Sequence, residues 1–459
     1  MKIAIIGSGI AGNVVAHHLH PDHDIHVFEA GDHIGGHSHT HDIEIDGQSL
    51  AVDTGFIVYN DRTYPNFSAM LQALHVPTQE SSMGFSVRCE STGLEYNGNT
   101  INSLFAQRRN LFRPRFWRMI REILRFNREA PQLLEQAHDG ADIALGDYLR
   151  AQRYSREFID WYILPMGAAI WSTDLDRMLG FPARFFIRFF HNHGMLSVNQ
   201  RPVWRTVSGG SREYVRRLTA PFAQRVRLRT PVRGLRRHDT HVELRTDGGT
   251  ERFDQVFVAC HSDQALALLE DASPLESAVL SAIPYQTADL VLHTDARLLP
   301  RRQLAWAAWN YHLMPQPLPC SATGLPATAS AATLTYNMNI LQRLPCRSTL
   351  CVTLNRSSDI DPAKVIKRLS YQHPVYTPAG LAAQARHADV NGERRTYFCG
   401  AYWRYGFHED GVVSALAALG HFGQRNSVEV PRTWQQRTEQ ARAVHQPGSD
   451  HVHHPGLAL

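Results

Sequence analysis

Lysine is almost missing from this chain. The sequence has 459 residues, and only Lys2, Lys364 and Lys367 are lysine, so the other basic residues in a Lys+Arg total of 47 are arginine. Genome composition alone can produce such a bias. It nevertheless restricts any chemistry that needs a lysine amine to three positions.

Cysteine motifs, a strong charge bias and long apolar runs are missing as well. The six cysteines form no CxxC motif and no tight cluster, which excludes a zinc ribbon and a dense disulfide framework. The formal net charge of +4 is too small over this length to indicate a nucleic-acid ligand. No uncharged apolar run reaches about 18 residues, so no membrane-spanning helix is predicted. No cleavage pattern of a signal peptide follows Lys2, and the expected compartment is the cytoplasm.

A glycine-rich turn near the start of the chain is the strongest local motif. Residues 2–6 predict a buried strand, residues 13–20 predict a helix, and between them lies Gly7-Ser8-Gly9-Ile10-Ala11-Gly12. In this GxGxxG spacing Gly7 makes the tight turn, Gly9 lets a pyrophosphate approach the backbone, and Gly12 lets the helix pack on the sheet. The free N–H groups of the helix N-terminus then favour phosphate binding.

An acidic residue follows the second predicted strand at the spacing typical of dinucleotide sites. Residues 24–28 form this strand, and Glu29 stands 17 residues after Gly12. A carboxylate here accepts hydrogen bonds from a ribose diol and disfavours a 2′-phosphate. Strand, turn, helix and acid together predict a dinucleotide site that does not favour NADP.

The residues after Glu29 resemble a known flavoprotein superfamily. Glu29-Ala30 followed by Gly35-Gly36 is similar to the flavin-binding signature of the amine oxidase and phytoene desaturase superfamily, where the glycine pair wraps the FAD pyrophosphate. That superfamily usually continues with arginine, whereas this chain has His37-Ser38. The stretch 53–65, which contains Gly55, resembles a bacterial branch of predicted NAD/FAD-binding oxidoreductases that occurs beside or fused to cyclopropane fatty-acid synthases. The resemblance implies FAD as the cofactor and places Ala30, Gly35, Gly36, His37, Ser38 and Gly55 against it.

The alternating histidines His37, His39 and His41 also suggest a metal site, because imidazole is a common ligand. No nearby cysteine or carboxylate completes a convincing set of ligands. We therefore predict no metal and expect imidazoles or backbone donors near the pyrophosphate.

A second diagnostic segment lies toward the C-terminus. Residues 396–400 predict a short strand ending at Gly400, and residues 412–419 predict a helix after Asp410-Gly411. This pattern resembles the closing motif of the superfamily, where the last helix points its N-terminus at the flavin. The resemblance implies cofactor contacts from Gly400, Asp410, Gly411, Val412 and Val413, with the helix dipole stabilising negative charge on the flavin. A simple helix cap by Asp410 is the alternative.

The middle of the chain completes the predicted architecture. Residues 226–235 predict a strand in which Val232 matches the position that presents its backbone to adenine in the superfamily. We predict an α/β fold with a Rossmann-like, glutathione-reductase-like FAD-binding domain built from residues 1–69, 205–264 and 394–445. An inserted α+β substrate domain takes residues 70–204 and 265–393, and residues 446–459 form a flexible tail.

Residues 111–129 predict an amphipathic helix with a basic side. Phe116, Ile120, Ile123 and Leu124 share one stripe, and Arg118, Arg121, Arg125 and Arg128 share another. Such a helix can lie on an anionic membrane surface, and it can equally be a domain helix with a solvated arginine face. The aromatic stretch 181–190 likewise suits either an acyl-chain tunnel or a core.

Two departures from the superfamily weigh against amine oxidation. Amine-oxidising members usually place a lysine near flavin N5, but residues 285–340 contain none, and the flavin-facing aromatic position of the closing motif falls on His408. The association with fatty-acid synthases favours hydride transfer between FAD and a lipid acyl chain, in desaturation or isomerisation. His408, Tyr402 and Tyr59 are the candidates to position the substrate or carry a proton.

Alternatives to this function remain open. They are an amine or amino-acid oxidase that releases hydrogen peroxide, and a flavoprotein partner without catalysis. The expected partners are a lipid or other apolar small molecule, a membrane surface touched peripherally, and a fatty-acid methyltransferase linked by function. No cysteine lies in the closing motif, so noncovalent FAD is the hypothesis.

Overall fold

The structure, a computed structural model, describes residues 1–135, 142–171, 173, 175–197, 202–314, 333–430, 433, 434 and 436. The predicted flexible tail, 446–459, lies outside these residues. The strands are β1 Lys2–Ile6, β2 Asp24–Phe28, β3 Thr40–Ile45, β4 Gln48–Asp53, β5 Val58–Asn60, β6 Thr78–Glu80, β7 Phe85–Cys89, β8 Leu94–Asn97, β9 Trp204–Val207, β10 Val226–Arg227, β11 Val232–Arg237, β12 Val242–Thr246, β13 Gly249–Phe253, β14 Gln255–Val258, β15 Tyr285–His293, β16 Trp309–Leu313, β17 Thr333–Asn337, β18 Cys351–Leu354, β19 Val365–Pro374 and β20 Thr396–Phe398.

The α-helices of the described residues are α1 Ile10–Leu19, α2 Pro65–Ala73, α3 Ile101–Leu104, α4 Pro114–Glu129, α5 Gln132–Glu135, α6 Leu145–Ala151, α7 Arg156–Phe158, α8 Leu164–Trp171, α9 Leu175–Leu179, α10 Ala183–Asn192, α11 Arg212–Thr219, α12 Ser262–Leu268, α13 Pro274–Leu280, α14 Met338–Leu341, α15 Pro378–Gln384, α16 His387–Val390 and α17 His408–Asn426. None of these helices combines the length and the apolar character that crossing a membrane would require.

A five-stranded parallel sheet carries the glycine-rich turn. Its order is β10-β2-β1-β14-β20, and Ile3 of β1 stands in register with Ile25 of β2 on one side and Gln255 of β14 on the other. The apolar run of β1 is buried because helices cover the sheet, as is usual for parallel strands. The α/β, Rossmann-like fold is thereby confirmed. The domain boundaries stay a prediction.

Three predicted elements differ from the structure. The helix expected over residues 13–20 begins earlier, at Ile10, and ends at Leu19. The strand expected over residues 226–235 is split, because the chain turns at Arg229, whose φ is 51°. The short β10 joins the parallel sheet, while β11 opens a separate antiparallel sheet with β12 and β13. The closing helix α17 begins at His408, four residues before the predicted start at Val412.

A second, larger sheet faces a helical layer. Its order is β19-β15-β18-β17-β16-β7-β8, and its pairs are antiparallel except β16 with β7. Phe116 and Met119 of α4 and Ala168 of α8 share a buried cluster with Val87 of β7 and Tyr96 of β8. Phe116, Ile120 and Ile123 of the predicted apolar stripe therefore pack in this cluster, whereas Leu124 of the same stripe is exposed.

The aromatic stretch 181–190 mostly forms core. Phe186 and Phe190 are buried and stack at 4.3 Å between ring centres. Phe189 alone of this stretch reaches the central cavity described below. The segment therefore supports the cavity wall.

Candidate active site

A cavity of about 1060 Å³ runs from the glycine-rich turn to the helical layer. At one end it is lined by Gly7, Glu29 and Val232, and at the other by side chains such as Tyr162 and Met166. The first end lies beyond the carboxyl edge of the parallel sheet, where α/β folds usually bind ligands. The second lies between α4, α8 and the larger sheet.

The glycines of the turn have distinct steric roles. A Cβ on Gly12 would stand 1.9 Å from the Gly7 carbonyl oxygen, so only glycine lets α1 approach the turn this closely. Gly7 has φ +100°, a conformation that side chains disfavour. A Cβ on Gly9 would meet nothing within 4 Å, so the backbone of Gly9 faces open space in the cavity. This arrangement fits a pyrophosphate.

Glu29 is held in place by three donors. Its Oε2 accepts hydrogen bonds from the Ser8 N–H at 2.9 Å and the Ser8 hydroxyl at 2.6 Å, and its Oε1 accepts from the Gly31 N–H at 2.7 Å. The half-buried carboxylate also lines the cavity. Oε1 accepts only one of these hydrogen bonds and has a second lone pair, so the side chain can still accept from a ribose hydroxyl.

The glycine pair Gly35-Gly36 packs against the glycine-rich turn of residues 7–12. A Cβ on Gly36 would meet the Gly9 Cα at 3.2 Å, and one on Gly55 would meet the His37 carbonyl oxygen at 2.0 Å. Gly35 donates its N–H to the Ser8 carbonyl at 3.0 Å. The two predicted cofactor loops therefore pack directly against each other around one end of the cavity.

The predicted cofactor residues divide into two groups. Those that line the cavity are Gly7, Ser8, Gly9, Ile10, Ala11, Glu29, Ala30, Gly35, Gly36, His37, Gly55, Val232 and Gly400. Those that do not are Gly12, Ser38, Asp410, Gly411, Val412 and Val413. Because α17 begins at His408, the N–H groups of Val412 and Val413 belong to the helical hydrogen-bond ladder, and the structure does not offer them as free donors.

Asp410 lies in the first turn of α17. Its Oδ2 accepts the Phe407 N–H at 2.9 Å, and burial raises the pKa of its carboxyl to about 7. Gly411 packs on Ile10, which a Cβ would approach to 2.6 Å. The sequence left Asp410 as the N-cap residue of this helix as an alternative, but in the structure Phe407 holds the N-cap position and Asp410 accepts its N–H from within the first turn. The cofactor contact of Asp410 stays a prediction.

His408 lies in a buried polar network at the edge of the cavity. Its Nε2 is 2.8 Å from the Ser38 hydroxyl and 2.9 Å from the Tyr214 hydroxyl, which also contact each other. Its ring stacks on Phe56 at 3.6 Å, and burial holds its pKa well below the usual value. The imidazole is therefore neutral, and its position is fixed by the contacts of Nε2 with the two hydroxyls and by stacking on Phe56.

The two candidate tyrosines have different places. The Tyr402 ring lines the cavity, and its buried hydroxyl meets no partner in good hydrogen-bonding geometry among the described residues. Tyr59 does not line the cavity and packs against Tyr64 and Phe67. Alternate residues of a strand face opposite sides, so Val58 reaches the cavity while Tyr59 points into the core, away from any substrate.

Three histidines stand together on the cavity wall, of which the sequence suggested only His37. Its ring centre lies 6.2 Å from that of His261 and 5.7 Å from that of His373. Burial lowers the pKa of His37 to about 3 and that of His373 to about 4, so both are neutral. His261 follows the carboxyl end of β14, a position where ligand loops are expected. His373 lies within β19, and no local pattern pointed to it.

The other two histidines of the alternation contact different groups. His39 stacks on His33 at 3.9 Å, and Lys367 Nζ lies 3.0 Å from His41 Nδ1. Burial lowers the pKa values of His39 and His41 to about 4. A lysine ammonium beside these rings disfavours a cation at the same place.

Charge is nearly absent from the cavity wall. Among the described residues that line it, Glu29 carries the single charged side chain, and the histidines whose pKa values are given above are neutral. The wall farthest from Glu29 consists of large apolar and aromatic side chains, among them Tyr162, Met166 and Trp171. This end can enclose an apolar molecule and exclude water from it.

Comparisons with known proteins agree with this geometry. The family model described as flavin containing amine oxidoreductase matches residues 10–304. No curated protein matches the sequence.

Solved structures with a similar fold have diverse activities. A proposed protoporphyrinogen oxidase from Exiguobacterium sp. 255-15 has a TM-score of 0.65 at 17% identity, covering 93% of this chain and 99% of its own. Cyclohexylamine oxidase from Brevibacterium oxydans IH-35A has a TM-score of 0.64 at 14% identity, covering 92% and 99%. A CLA-producing fatty acid isomerase from P. acnes has a TM-score of 0.63 at 15% identity, covering 92% and 98%.

Proposed function

We propose that this chain, an FAD-dependent oxidoreductase that belongs to the flavin containing amine oxidoreductase family, acts on a lipid acyl chain. The reaction is desaturation or isomerisation of that chain. Each begins with hydride leaving an acyl C–H bond. Desaturation also releases a proton from the neighbouring carbon, which leaves the C=C bond, and it needs an external oxidant such as dioxygen or an electron carrier. Isomerisation instead returns the hydride to another carbon.

The observation that carries this proposal is the lack of charge around the apolar end of the cavity. An alkylammonium ion buried there would have no carboxylate partner among the described lining residues, and a buried unpaired charge is very costly. An acyl chain needs no such partner and gains free energy by leaving water. The wall therefore favours a long apolar substrate over a small amine.

The positions of the lysines support the same choice. None of the three lysines, all of which the structure describes, lines the cavity, and Lys367 contacts His41 instead. The water-mediated lysine that amine-oxidising relatives usually place near the flavin has no counterpart here.

Two resemblances add support. The fold is also that of a fatty acid isomerase, so it is compatible with acyl-chain chemistry. The resemblance to a branch associated with cyclopropane fatty-acid synthases favours unsaturated or methylated phospholipids as substrates and a functional link to a fatty-acid methyltransferase.

Different residues of this chain have different roles in the proposed reaction. The backbone of Gly7 to Gly9 would hold the cofactor pyrophosphate, Glu29 would accept hydrogen bonds from the ribose, and Val232 would contribute its backbone to the adenine site. When bound, FAD supplies a ring that accepts hydride. The apolar wall holds the acyl chain and excludes water, while the Tyr402 hydroxyl is free to orient the substrate or carry a proton.

Anaerobic reduction of the bound flavin tests this assignment. The purified holoenzyme is mixed without oxygen with unsaturated phospholipid, methylated phospholipid or a panel of alkylamines, and the visible flavin band is followed. If the reaction is desaturation, we expect bleaching with a phospholipid and none with the amines. Isomerisation returns the hydride and leaves the flavin oxidised, so the recovered lipid is also analysed for a shifted double bond. Bleaching by an amine alone would instead identify an amine oxidase, and a lipid panel that gives neither bleaching nor a double-bond shift would contradict the proposal.

A further inference from the structure

Exposed apolar side chains concentrate in one short segment. The described residues include eleven exposed large hydrophobic side chains, and five of these lie between positions 101 and 124. Phe112 is 86% exposed, Ile101 is 81% exposed and Leu124 is 51% exposed, while Leu111 and Trp117 are each 42% exposed. Singly scattered hydrophobic residues are ordinary on a surface, but a cluster marks an interaction site.

Contacts within this segment hold several of its parts together. The Trp117 indole donates to the Leu111 carbonyl at 2.9 Å, and its ring lies 5.2 Å from that of Phe105. Arg108 donates to the Asn102 side chain at 2.6 Å and so links the segment to α3. We call this surface the arginine face, because exposed arginines surround its apolar residues; they are Arg108, Arg109, Arg115, Arg118, Arg121 and Arg128.

The arginine face has a large excess of positive charge. Residues 101–129 contain eight arginines and two glutamates. Arg115 and Arg118 both form ion pairs with the same carboxylate, that of Glu157, at N–O distances of 3.5 and 3.7 Å. Arg121 has no hydrogen bond or ion pair with any described residue. This charge complements phosphate groups arrayed on an anionic surface.

The composition of the face selects the kind of partner. On the exposed side of α4, Trp117 and Leu124 alternate with Arg118 and Arg121. Tryptophan and apolar side chains enter the lipid interface, while arginines extend their guanidinium groups to the headgroups. An acidic protein would complement the arginines but leave Phe112 and Ile101 without an apolar environment.

The mouth of the cavity adjoins the arginine face. Leu124 is exposed and also lines the cavity, and Ile120, Ile123 and Asn127 of the same helix line it as well. One side of α4 thus faces the cavity and the other faces solvent. A lipid that leaves a membrane beside α4 would reach the apolar end of the cavity without crossing a polar surface.

We infer that the arginine face docks this protein on an anionic phospholipid membrane, with the cavity mouth at Leu124 opening toward the bilayer. The inference rests on the proposed function, because it names the source of the lipid substrate. Docking itself requires no turnover and is measured separately.

Vesicle flotation measures docking directly. The holoenzyme is mixed with vesicles of phosphatidylcholine alone or of phosphatidylcholine and phosphatidylglycerol in equal parts, and the bound fraction is determined at low and high salt. We expect binding to the anionic vesicles, weaker binding as salt rises, and little binding to neutral vesicles. Absence of binding to anionic vesicles at low salt would overturn the inference.

Two charge-reversal variants locate the surface. Arg118→Glu/Arg121→Glu should reduce the partition coefficient on anionic vesicles by at least about 30-fold, since each basic residue near such a surface contributes about 1 kcal/mol. The matched control is Arg343→Glu/Arg368→Glu, which makes the same charge change at two exposed arginines away from the face. The β19 strand of Arg368 is the edge of the larger sheet opposite β8, near which the face lies. Equal losses in both variants would show only non-specific attraction and would contradict the assignment.

A third variant tests the apolar contribution. Phe112→Ser/Trp117→Ser leaves the charge unchanged and should weaken binding that survives at high salt. Full retention of that binding would contradict insertion into the interface, and binding to an acidic soluble protein in preference to vesicles would assign the face to a protein partner.

The two proposals fail in different ways. If docking holds and the proposed substrate is wrong, the protein binds vesicles but no lipid either bleaches its flavin or undergoes a double-bond shift. If the substrate is right and docking is wrong, detergent-dispersed phospholipid bleaches the flavin although vesicles do not bind.

Discussion

The two ends of the cavity differ in how their walls are built. Around Gly7 and Glu29 the wall is built from backbone, closely packed glycines and a hydrogen-bonded carboxylate. Around Tyr162 and Trp171 it is built from large side chains that carry no charge. The first end is suited to a polar molecule of fixed shape, and the second to an apolar molecule of suitable size. The proposed cofactor site is thus built from segments close along the chain, whereas the proposed substrate site is built by packing between distant segments.

The largest expected effect lies in the glycine turn. Gly12→Ala should lower the free energy of unfolding by about 3 kcal/mol or more, because its Cβ would stand 1.9 Å from the Gly7 carbonyl oxygen. Bound FAD should fall with it, measured as the flavin-to-protein absorbance ratio beside thermal unfolding.

Gly9→Ala is the matched control for that substitution. Its Cβ would meet nothing within 4 Å, so stability should be retained while FAD affinity falls about tenfold. If Gly9→Ala bound FAD as well as the parent, the assignment of this turn to the pyrophosphate would be wrong.

A smaller effect is expected at the apolar end. Ile170→Glu places a carboxylate on the cavity wall and should slow flavin reduction by phospholipid about 100-fold, because the apolar chain would have to desolvate it. FAD content should not change, since Ile170 is remote from the glycine turn. Stopped-flow absorbance under anaerobic conditions measures the rate.

Ile366→Glu makes the same substitution at a position that is 40% exposed and does not line the cavity. Its rate should match that of the parent. A gain of amine oxidation in Ile170→Glu would show that charge at the apolar end selects the substrate. Equal rates of flavin reduction in Ile170→Glu and Ile366→Glu would place the substrate elsewhere.

The smallest rate effect is expected at His408. His408→Phe keeps the stacking on Phe56 and leaves the Ser38 and Tyr214 hydroxyls bonded to each other. We expect a loss of about 1–2 kcal/mol in stability and less than about a threefold change in flavin reduction. Because burial keeps the His408 pKa low, the rate should show no histidine titration between about pH 6 and about pH 8.

Tyr402→Phe provides the contrast, because it removes the buried hydroxyl without a partner at the cavity wall. It should preserve stability and slow reduction about tenfold. A large rate loss in His408→Phe, with none in Tyr402→Phe, would exchange the roles of the two residues.

The same contrast explains what the sequence could predict. Gly7, Gly9 and Glu29 interact with neighbours close along the chain, so their spacing was enough to predict that they line one cavity. Tyr59 does not line that cavity, because the side of β5 on which it lies depends on strand register, which the sequence does not show. His373 was missed because it reaches His37 only through pairing of β19 with β15, across more than 300 residues of chain.

The closing helix shows the limit of a motif. Its residues match the superfamily pattern, but Asp410, Val412 and Val413 lie inside a helix that starts earlier, at His408. The start depends on the Phe407 contact with Asp410, which the motif alone does not specify. The basic stripe of α4 was visible in the sequence, whereas its position beside the cavity mouth required the packing of α4 on β7 and β8.

Analysis of the lipid after a single anaerobic turnover tests the central claim most directly. The holoenzyme is reacted with one equivalent of unsaturated or methylated phospholipid, and the acyl chains are examined by mass spectrometry. We predict a chain that has lost two hydrogens while the flavin is reduced, or a chain of equal mass with a shifted double bond. Unchanged acyl chains, together with hydrogen peroxide formed from an amine in air, would contradict the account.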